Sequence, residues 1–227
     1  MKHLKFLAAV CCMAAVFTAC EKNEPSNNAT GTANGHGYVD LGLPSGLKWA
    51  TCNVGANKPE EYGDYYAWGE TEPKTTYDES TYKWWDSSYR TLTKYCTDSD
   101  CGTVDNKTVL DLEDDAARAN WGGAWRMPTD AEWTELRENC TWKWTTRNGI
   151  NGYEVKGSNG NSIFLPAAGG RGSDELYGYC GYYWSSSLYT DYPWIAWGVE
   201  FYSEGGVYRA YDIGIRCFGF SVRAVCE

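Results

Sequence analysis

Histidine is nearly absent: the 227 residues contain two, His3 and His36. His3 falls in an apolar leader and His36 at the edge of a polar stretch, so a histidine-based nucleophilic triad has nothing to be built from. The same scarcity, with no C-x-x-C motif, removes the usual ligand sets for zinc. Basic charge is short as well. Twenty Lys and Arg stand against thirty Asp and Glu, a formal net charge of −10. A field of that sign repels phosphate backbones and excludes nucleic acid as a natural partner. Beyond residue 17 no apolar run is long enough to span a bilayer. No G-x-G-x-x-G follows a strand and opens a helix, so no phosphate cradle is expected. What is abundant is ring and turn chemistry, with 12 Trp, 18 Tyr and 25 Gly. That profile predicts a loop-rich β domain with aromatic residues in its core and on its surface.

Residues 1–19 read as a secretory signal, with Lys2, His3 and Lys5 ahead of a short apolar run at 6–17. The run ends Phe17-Thr18-Ala19-Cys20, which resembles the lipobox of bacterial lipoproteins. The resemblance implies that Cys20 becomes the lipidated first residue and that the membrane is a partner through its acyl chains. Each buried CH₂ contributes ~0.8 kcal/mol to such an anchor. Residues 20–36 hold almost no apolar side chain and read as a flexible tether. The charged start of this tether, Glu21, Lys22 and Glu24, resembles the surface-export signals of Bacteroides-type lipoproteins. The expected location is therefore the outer membrane, at the cell surface. The domain proper is expected over residues 37–227.

Three cysteines are accounted for by this leader: Cys11 and Cys12 leave with the signal and Cys20 takes lipid. Cys52, Cys96, Cys101, Cys140, Cys180, Cys217 and Cys226 remain. An exported chain permits disulfides. Cys96 and Cys101 are close enough in sequence to staple a hairpin, and a Cys52–Cys226 bridge would tie the two ends of the domain. The odd count leaves at least one thiol over.

The clearest local signal lies in residues 121–140. Thr129 and Glu132 have capping-box spacing: the Thr hydroxyl accepts from the Glu132 N–H while the carboxylate reaches back. Pro128 discourages an upstream helix from running through. Trp133, Leu136 and Cys140 then share one helical face. A shorter helix is expected over 113–120, ended by Gly122 and Gly123, so that Trp121, Trp125 and Trp133 form an aromatic corner. The acids Asp98, Asp100, Asp105, Asp111, Glu113, Asp114 and Asp115 invite a calcium reading. However, the order around Asp98 lacks the closing Glu of an EF-hand, and residues 111–115 fit a helix N-terminus better.

The rest reads as short strands. A hairpin is expected over 38–41 and 47–53 around the turn 43–46. Residues 58–69 form a strand or an ordered loop. Residues 70–108 form a large excursion carrying Trp84, Trp85, Tyr89 and Tyr95. Trp142 and Trp144 share a face of 141–146, Asn148-Gly149 and Asn151-Gly152 are turn signals, and 153–155 pairs with 162–166. Residues 167–172 read as a small-residue loop. Further β segments are expected at 182–187, 196–201, 206–209 and 218–225.

Six segments together carry a resemblance: GYVDLGLPSGLKWATCNVGA, PEEYGDYYAWGE, WGGAWRMPTDAEWTELRENCTW, GNSIFLPAAGGR, GYYWSSS and GFSVRAV. They resemble the Fibrobacter succinogenes major paralogous (FISUMP) domain, over residues 38–226. That family is similar to C-type lectin-like and formylglycine-generating-enzyme-like folds. The resemblance implies an α+β domain, C-type lectin-like, with twisted antiparallel sheets, two short helices, long loops and its ends close together. No calcium-lectin tripeptide, Glu-Pro-Asn, Gln-Pro-Asp or Trp-Asn-Asp, occurs here, so no cofactor or metal is implied. Gly170-Arg171-Gly172-Ser173 departs from the Arg-Gly-Gly-Ser of the formylglycine-generating enzymes, and no catalytic residue is carried over.

The expected function is ligand binding, to glycan or protein, by a surface-tethered module. Between Ser187 and Phe218 the chain is rich in Tyr, Trp, Asp and Arg, and alternate strand residues face opposite ways, so these cannot all be core. Tyr189, Asp191, Tyr192, Trp194, Tyr202, Tyr208, Arg209, Tyr211 and Ile213 are the candidate ligand-binding residues. Aromatic side chains of this kind give large contact area at low entropic cost. C-type lectin-like lipoproteins are usual targets of diversity-generating retroelements, and the resemblance implies that this segment is the diversified one. A structural envelope component is the alternative. A hydrolase would have to use Glu70, Glu72 and Asp64 as its acids, which in an acidic protein are ordinarily solvated.

Overall fold

The computed structural model describes residues 29–87, 91–178, 180–210 and 214–227. The leader, Cys20 and most of the tether lie outside the described residues, as do Tyr89, Tyr211 and Ile213.

The first strands are β1 (Gly31–Ala33), β2 (His36–Asp40) and β3 (Lys48–Ala50), each antiparallel to the next. Asn34 and Gly35 join β1 to β2 with φ of 43° and 83°, the left-handed pair that a two-residue hairpin requires. The tether reading is corrected here, since its last residues belong to the domain. Their polarity hides what they bury. The Trp125 indole donates to the Ala33 carbonyl at 2.8 Å, and the Asn34 amide donates to the Trp121 carbonyl. The His36 ring stacks on Trp121 at 4.1 Å. The β2–β3 hairpin agrees with the sequence reading, its turn closed by Gly46 N–H donating to the Leu43 carbonyl at 2.9 Å.

The excursion contains β4 (Tyr65–Tyr66), a capped 3₁₀ turn at Glu79–Thr81, β5 (Trp85–Asp86) and β6 (Thr91–Leu92). Then come α1 (Ala116–Trp121) and α2 (Asp130–Asn139). Helix α1 begins three residues later than expected. Asp115 is extended, and its carboxylate accepts from the N–H groups of Arg118 and Met127 at 2.9 and 2.7 Å, so the regular turn starts behind it. At α2 both halves of the capping box form, and Arg126 grips the Glu132 carboxylate with both guanidinium nitrogens at 2.8 and 2.6 Å. The expected three-tryptophan corner is divided. Trp121 and Trp125 pack edge to face at 5.1 Å, while Trp133 turns the other way, onto Trp49 at 4.6 Å and Tyr183 at 5.8 Å. Trp133 and Leu136, the buried face of α2, belong to a second core with Val39, Trp49 and Phe201.

β7 (Thr141–Arg147), β8 (Ile150–Lys156) and β9 (Ser162–Pro166) form an antiparallel meander. The turn is Asn148-Gly149, both with positive φ. Asn151-Gly152 is strand instead of turn. A Cβ on Gly152 would lie 2.2 Å from the Leu165 carbonyl oxygen, so glycine serves close strand approach there. After β10 (Gly170–Gly172) and β11 (Glu175–Tyr177) come β12 (Gly181–Leu188), β13 (Ala196–Tyr202), β14 (Gly206–Ala210), β15 (Phe220–Ser221) and β16 (Val225–Cys226). The largest sheet has the order β14-β13-β12-β15-β4, with β12 and β15 parallel. Strand β16 closes the sheet β1-β2-β3-β16, so both ends of the described chain share one sheet. The architecture is α+β: mostly antiparallel sheets with two short helices. Among the described residues no helix is long and apolar enough to cross a membrane.

All seven described cysteines are free thiols, so neither expected disulfide is formed. Cys52 lies 3.2 Å from the Ala56 carbonyl and Cys96 3.0 Å from that of Asp98; each thiol has a local acceptor in place of a bridge.

Candidate functional site

The acidic cluster is already occupied from within. The Lys94 ammonium lies 2.7 Å from Asp111, 3.4 Å from Glu113 and 2.6 Å from Asp114, and Lys83 reaches the other Asp114 oxygen at 3.0 Å. Burial alone would lower the Lys94 pKa, but its bonds to Asp111 and Asp114 outweigh that and hold it above the ordinary lysine range. Burial would likewise raise Asp114, and its bonds to Lys94, Tyr95 and Lys83 bring it below the usual carboxylate range. The three carboxylates hold an ammonium where a calcium ion would have to sit.

Reactive groups are few. Burial raises the thiols of Cys101 and Cys140, the latter to about 11, and pushes Cys217 up to about 12, which suppresses the thiolate form. His36 is committed to its stack on Trp121, and burial lowers its pKa. Glu70 accepts from the Lys74 ammonium at 2.9 Å and from the Lys83 N–H at 2.8 Å.

Two open grooves flank the excursion. The larger, about 610 Å³, is polar and is lined by Asp64, Lys74, Arg171 and Asp174 among others. Part of its lining is satisfied internally: Lys74 pairs with Glu70, and Asp174 accepts from the Thr76 hydroxyl at 3.0 Å. The smaller, about 450 Å³, is lined by Tyr82, Trp85, Leu92, Trp194, Ile215 and Arg216, with Glu79, Asp100, Cys101 and Cys217. Its size and mainly apolar, aromatic lining suit a small ligand or the end of a longer one.

Arg216 builds this second groove. Its side chain is 1% exposed and bonds elements on both sides. It donates to the Tyr82 hydroxyl at 2.9 Å and to the carbonyls of Tyr95 and Lys94 at 3.0 Å, all on the excursion. It also donates to the Pro193 carbonyl at 2.9 Å, in the loop between β12 and β13. Its own N–H donates to the Trp194 carbonyl at 3.1 Å. Trp68 lies 4.8 Å from the guanidinium carbon. The planar fork thus fixes the Trp194 loop against the excursion, which a lysine could not do at several carbonyls at once.

From the groove an aromatic ladder runs outward. Trp194 packs on Tyr192 at 5.1 Å, Tyr192 on Tyr189 at 5.8 Å, and Tyr189 edge-on to Trp197 at 4.7 Å. Tyr192 and Trp194 are 49% and 41% exposed. Arg209 covers Trp197 at 3.3 Å and is held by the Asp130 carboxylate at 2.7 Å.

Of the candidate binding residues, Tyr189, Tyr192, Trp194 and Arg209 are therefore brought together, and Asp191 is exposed on the same loop. Arg209 stands on the ladder with its side chain 42% exposed and its charge paired with Asp130. Tyr202 and Tyr208 are exposed at the far end of β13, around the β13–β14 turn, roughly 20 Å along the strand from Trp194. There the Tyr202 hydroxyl donates to Glu200 at 2.7 Å and that of Tyr208 to the Gly205 carbonyl. Ile215 and Arg216 fall in the segment 187–218 singled out for binding but outside the candidate set. Tyr82 and Leu92 lie in the excursion, far from that segment in sequence, and no local signal marks them as its partners. Comparison with protein-family models, with curated proteins and with solved structures gave no match to this chain.

Proposed function

We propose that the protein is a lipid-anchored surface module of C-type lectin-like type that binds a glycan or protein ligand at the Trp194 groove and does no chemistry on it. The anchor is Cys20 and the location the outer membrane. The observation that carries the reading is the ladder Tyr189-Tyr192-Trp194, its last two rings exposed, leading into a groove of about 450 Å³ also lined by Tyr82 and Trp85. A monomeric soluble protein has little reason to leave large rings exposed in a row beside a cavity. The ladder offers stacking faces to an extended ligand, and the groove takes its end. The raised thiols and the spent Glu70 favour binding over catalysis. The pairing of β1-β2-β3-β16, which joins the ends of the domain, supports the lectin-like reading of the fold.

The test is a screen of glycans and peptides against the purified chain, with Trp194→Ala and Tyr192→Ala beside it. Each exposed ring removed should weaken binding about five- to tenfold, the loss of roughly 1–1.5 kcal/mol of stacking. Tyr208→Ala, at the other end of β13, should leave binding unchanged. Ligands that bind all three variants as tightly as the wild type would refute the site.

A further inference from the structure

We infer that the ligand group taken by the Trp194 groove is cationic, an alkylammonium or guanidinium; this rests on the reading of that groove as a binding site. Three of its lining side chains are aromatic, Tyr82, Trp85 and Trp194, and its exposed charged side chains are both acids, Glu79 and Asp100. Neither carboxylate takes part in an ion pair among the described residues. Lys74, beside Tyr82, is committed to Glu70 and to the Thr81 carbonyl. The one cation in the lining, Arg216, is buried with four donations made to protein oxygens. Its charge opposes an incoming cation, but two carboxylates outnumber it and stand nearer solvent. Ring faces attract cations through their quadrupole, and the attraction grows on desolvation. A neutral ligand would use the rings and leave both acids without a partner. An anion would be repelled by both acids.

The molecule holds the same arrangement in filled form. The Lys94 ammonium sits 5.1 Å from the Trp84 ring centre and 4.9 Å from that of Tyr95, between Asp111 and Asp114. Rings and carboxylates there hold an ammonium of the chain itself. At the groove the rings and acids are present, and among the described residues no exposed ammonium or guanidinium lines it.

The experiment uses matched probes: choline against its neutral isostere 3,3-dimethylbutan-1-ol, and Nα-acetyl-lysine amide against its Nε-acetylated form. Binding to the full chain is read from the indole N–H resonances of Trp85 and Trp194 at low salt. Both cationic probes should bind about tenfold or more tightly than their neutral partners, a difference that ~1.4 kcal/mol supplies. The double variant Glu79→Gln, Asp100→Asn alters exposed side chains only. It should cut the preference severalfold, the rings alone keeping a remainder, while leaving the melting temperature unchanged. Equal binding of charged and neutral probes, with Trp194 still perturbed, would overturn the charge assignment and leave the groove standing. No perturbation of either indole by any probe would count against both. A preference undiminished by the double variant would place the cation elsewhere and overturn the inference.

Discussion

At the scale of single residues, the most consequential groups are two cations placed where sequence reading expected none. Lys94 neutralises a cage whose innermost acid, Asp114, has a side chain only 3% exposed. Removing the ammonium takes away that carboxylate's nearest cation and leaves it Lys83 and the Tyr95 hydroxyl; breaking a pair by deleting one partner costs about 3–5 kcal/mol when fully buried. Lys94 is partly exposed, so Lys94→Met should cost about 2–3 kcal/mol in urea unfolding, discounted for solvent screening. The pH dependence has a definite sign. The carboxyls of Asp111 and Asp114 lie below their ordinary 3.8 in the folded chain. Their contribution is complete above that value and is lost as pH falls through the lower folded values. Without Lys94 each acid loses one partner, while Lys107 still holds Asp111 and Tyr95 and Lys83 still hold Asp114, so their folded pKa values should rise part of the way and the variant should unfold at a somewhat higher pH than the wild type in an acid titration. Arg216→Lys is the second test. One ammonium cannot serve Tyr82, Lys94, Tyr95 and Pro193 together, so the variant should lose about 2–4 kcal/mol and its groove affinity with it. The acids of the Lys94 cage were visible in the sequence; the lysine that meets them was not, because 16 residues of irregular chain separate Lys94 from Asp111.

At the scale of elements, local rules were legible and partners were not. The capping box at Thr129 is set by spacing within four residues, and both of its bonds form. Thr129→Ala should lower stability by about 1 kcal/mol, measured by thermal or denaturant unfolding. Strands β7, β9, β12, β13 and β14 follow from alternation and turn residues in the same way, whereas β10 lies where a small-residue loop was expected and β8 runs through an expected turn. What failed depended on contacts distant in sequence. Gly31–Ala33 looks like linker because its side chains are small and polar, yet its backbone pairs with β2 and accepts from Trp125. A chain beginning at residue 37 should therefore be less stable than one beginning at 29, by about 2–4 kcal/mol. That is the scale of several backbone bonds and one ring stack lost together. Equal melting temperatures for the two would contradict the role given to β1. Trp133 was misplaced for a related reason: its spacing puts it on the buried face of α2, but only β3 and β12 decide which core that face meets.

At the scale of the whole molecule, the sequence made the aromatic surface visible and concealed the groove. Tyr189, Tyr192 and Trp194 stand within one loop and could be read together. Tyr82 and Trp85 come to them only through the folding of the excursion onto Arg216. The same distance in sequence explains the cysteines, whose spacing suggested bridges that the packing does not make. Titration of the denatured, unreduced chain from residue 29 should count the seven thiols of the free state; five would mean that one bridge forms. The central claim is that a ligand binds where the ladder enters the groove. It is tested most directly by mapping a binding glycan or peptide onto the full chain through the indole resonances of its tryptophans. The account predicts that Trp85 and Trp194 shift together, with Trp197 following along the ladder, while the buried Trp49 and Trp133 stay fixed. A ligand that moves neither Trp85 nor Trp194 would contradict it.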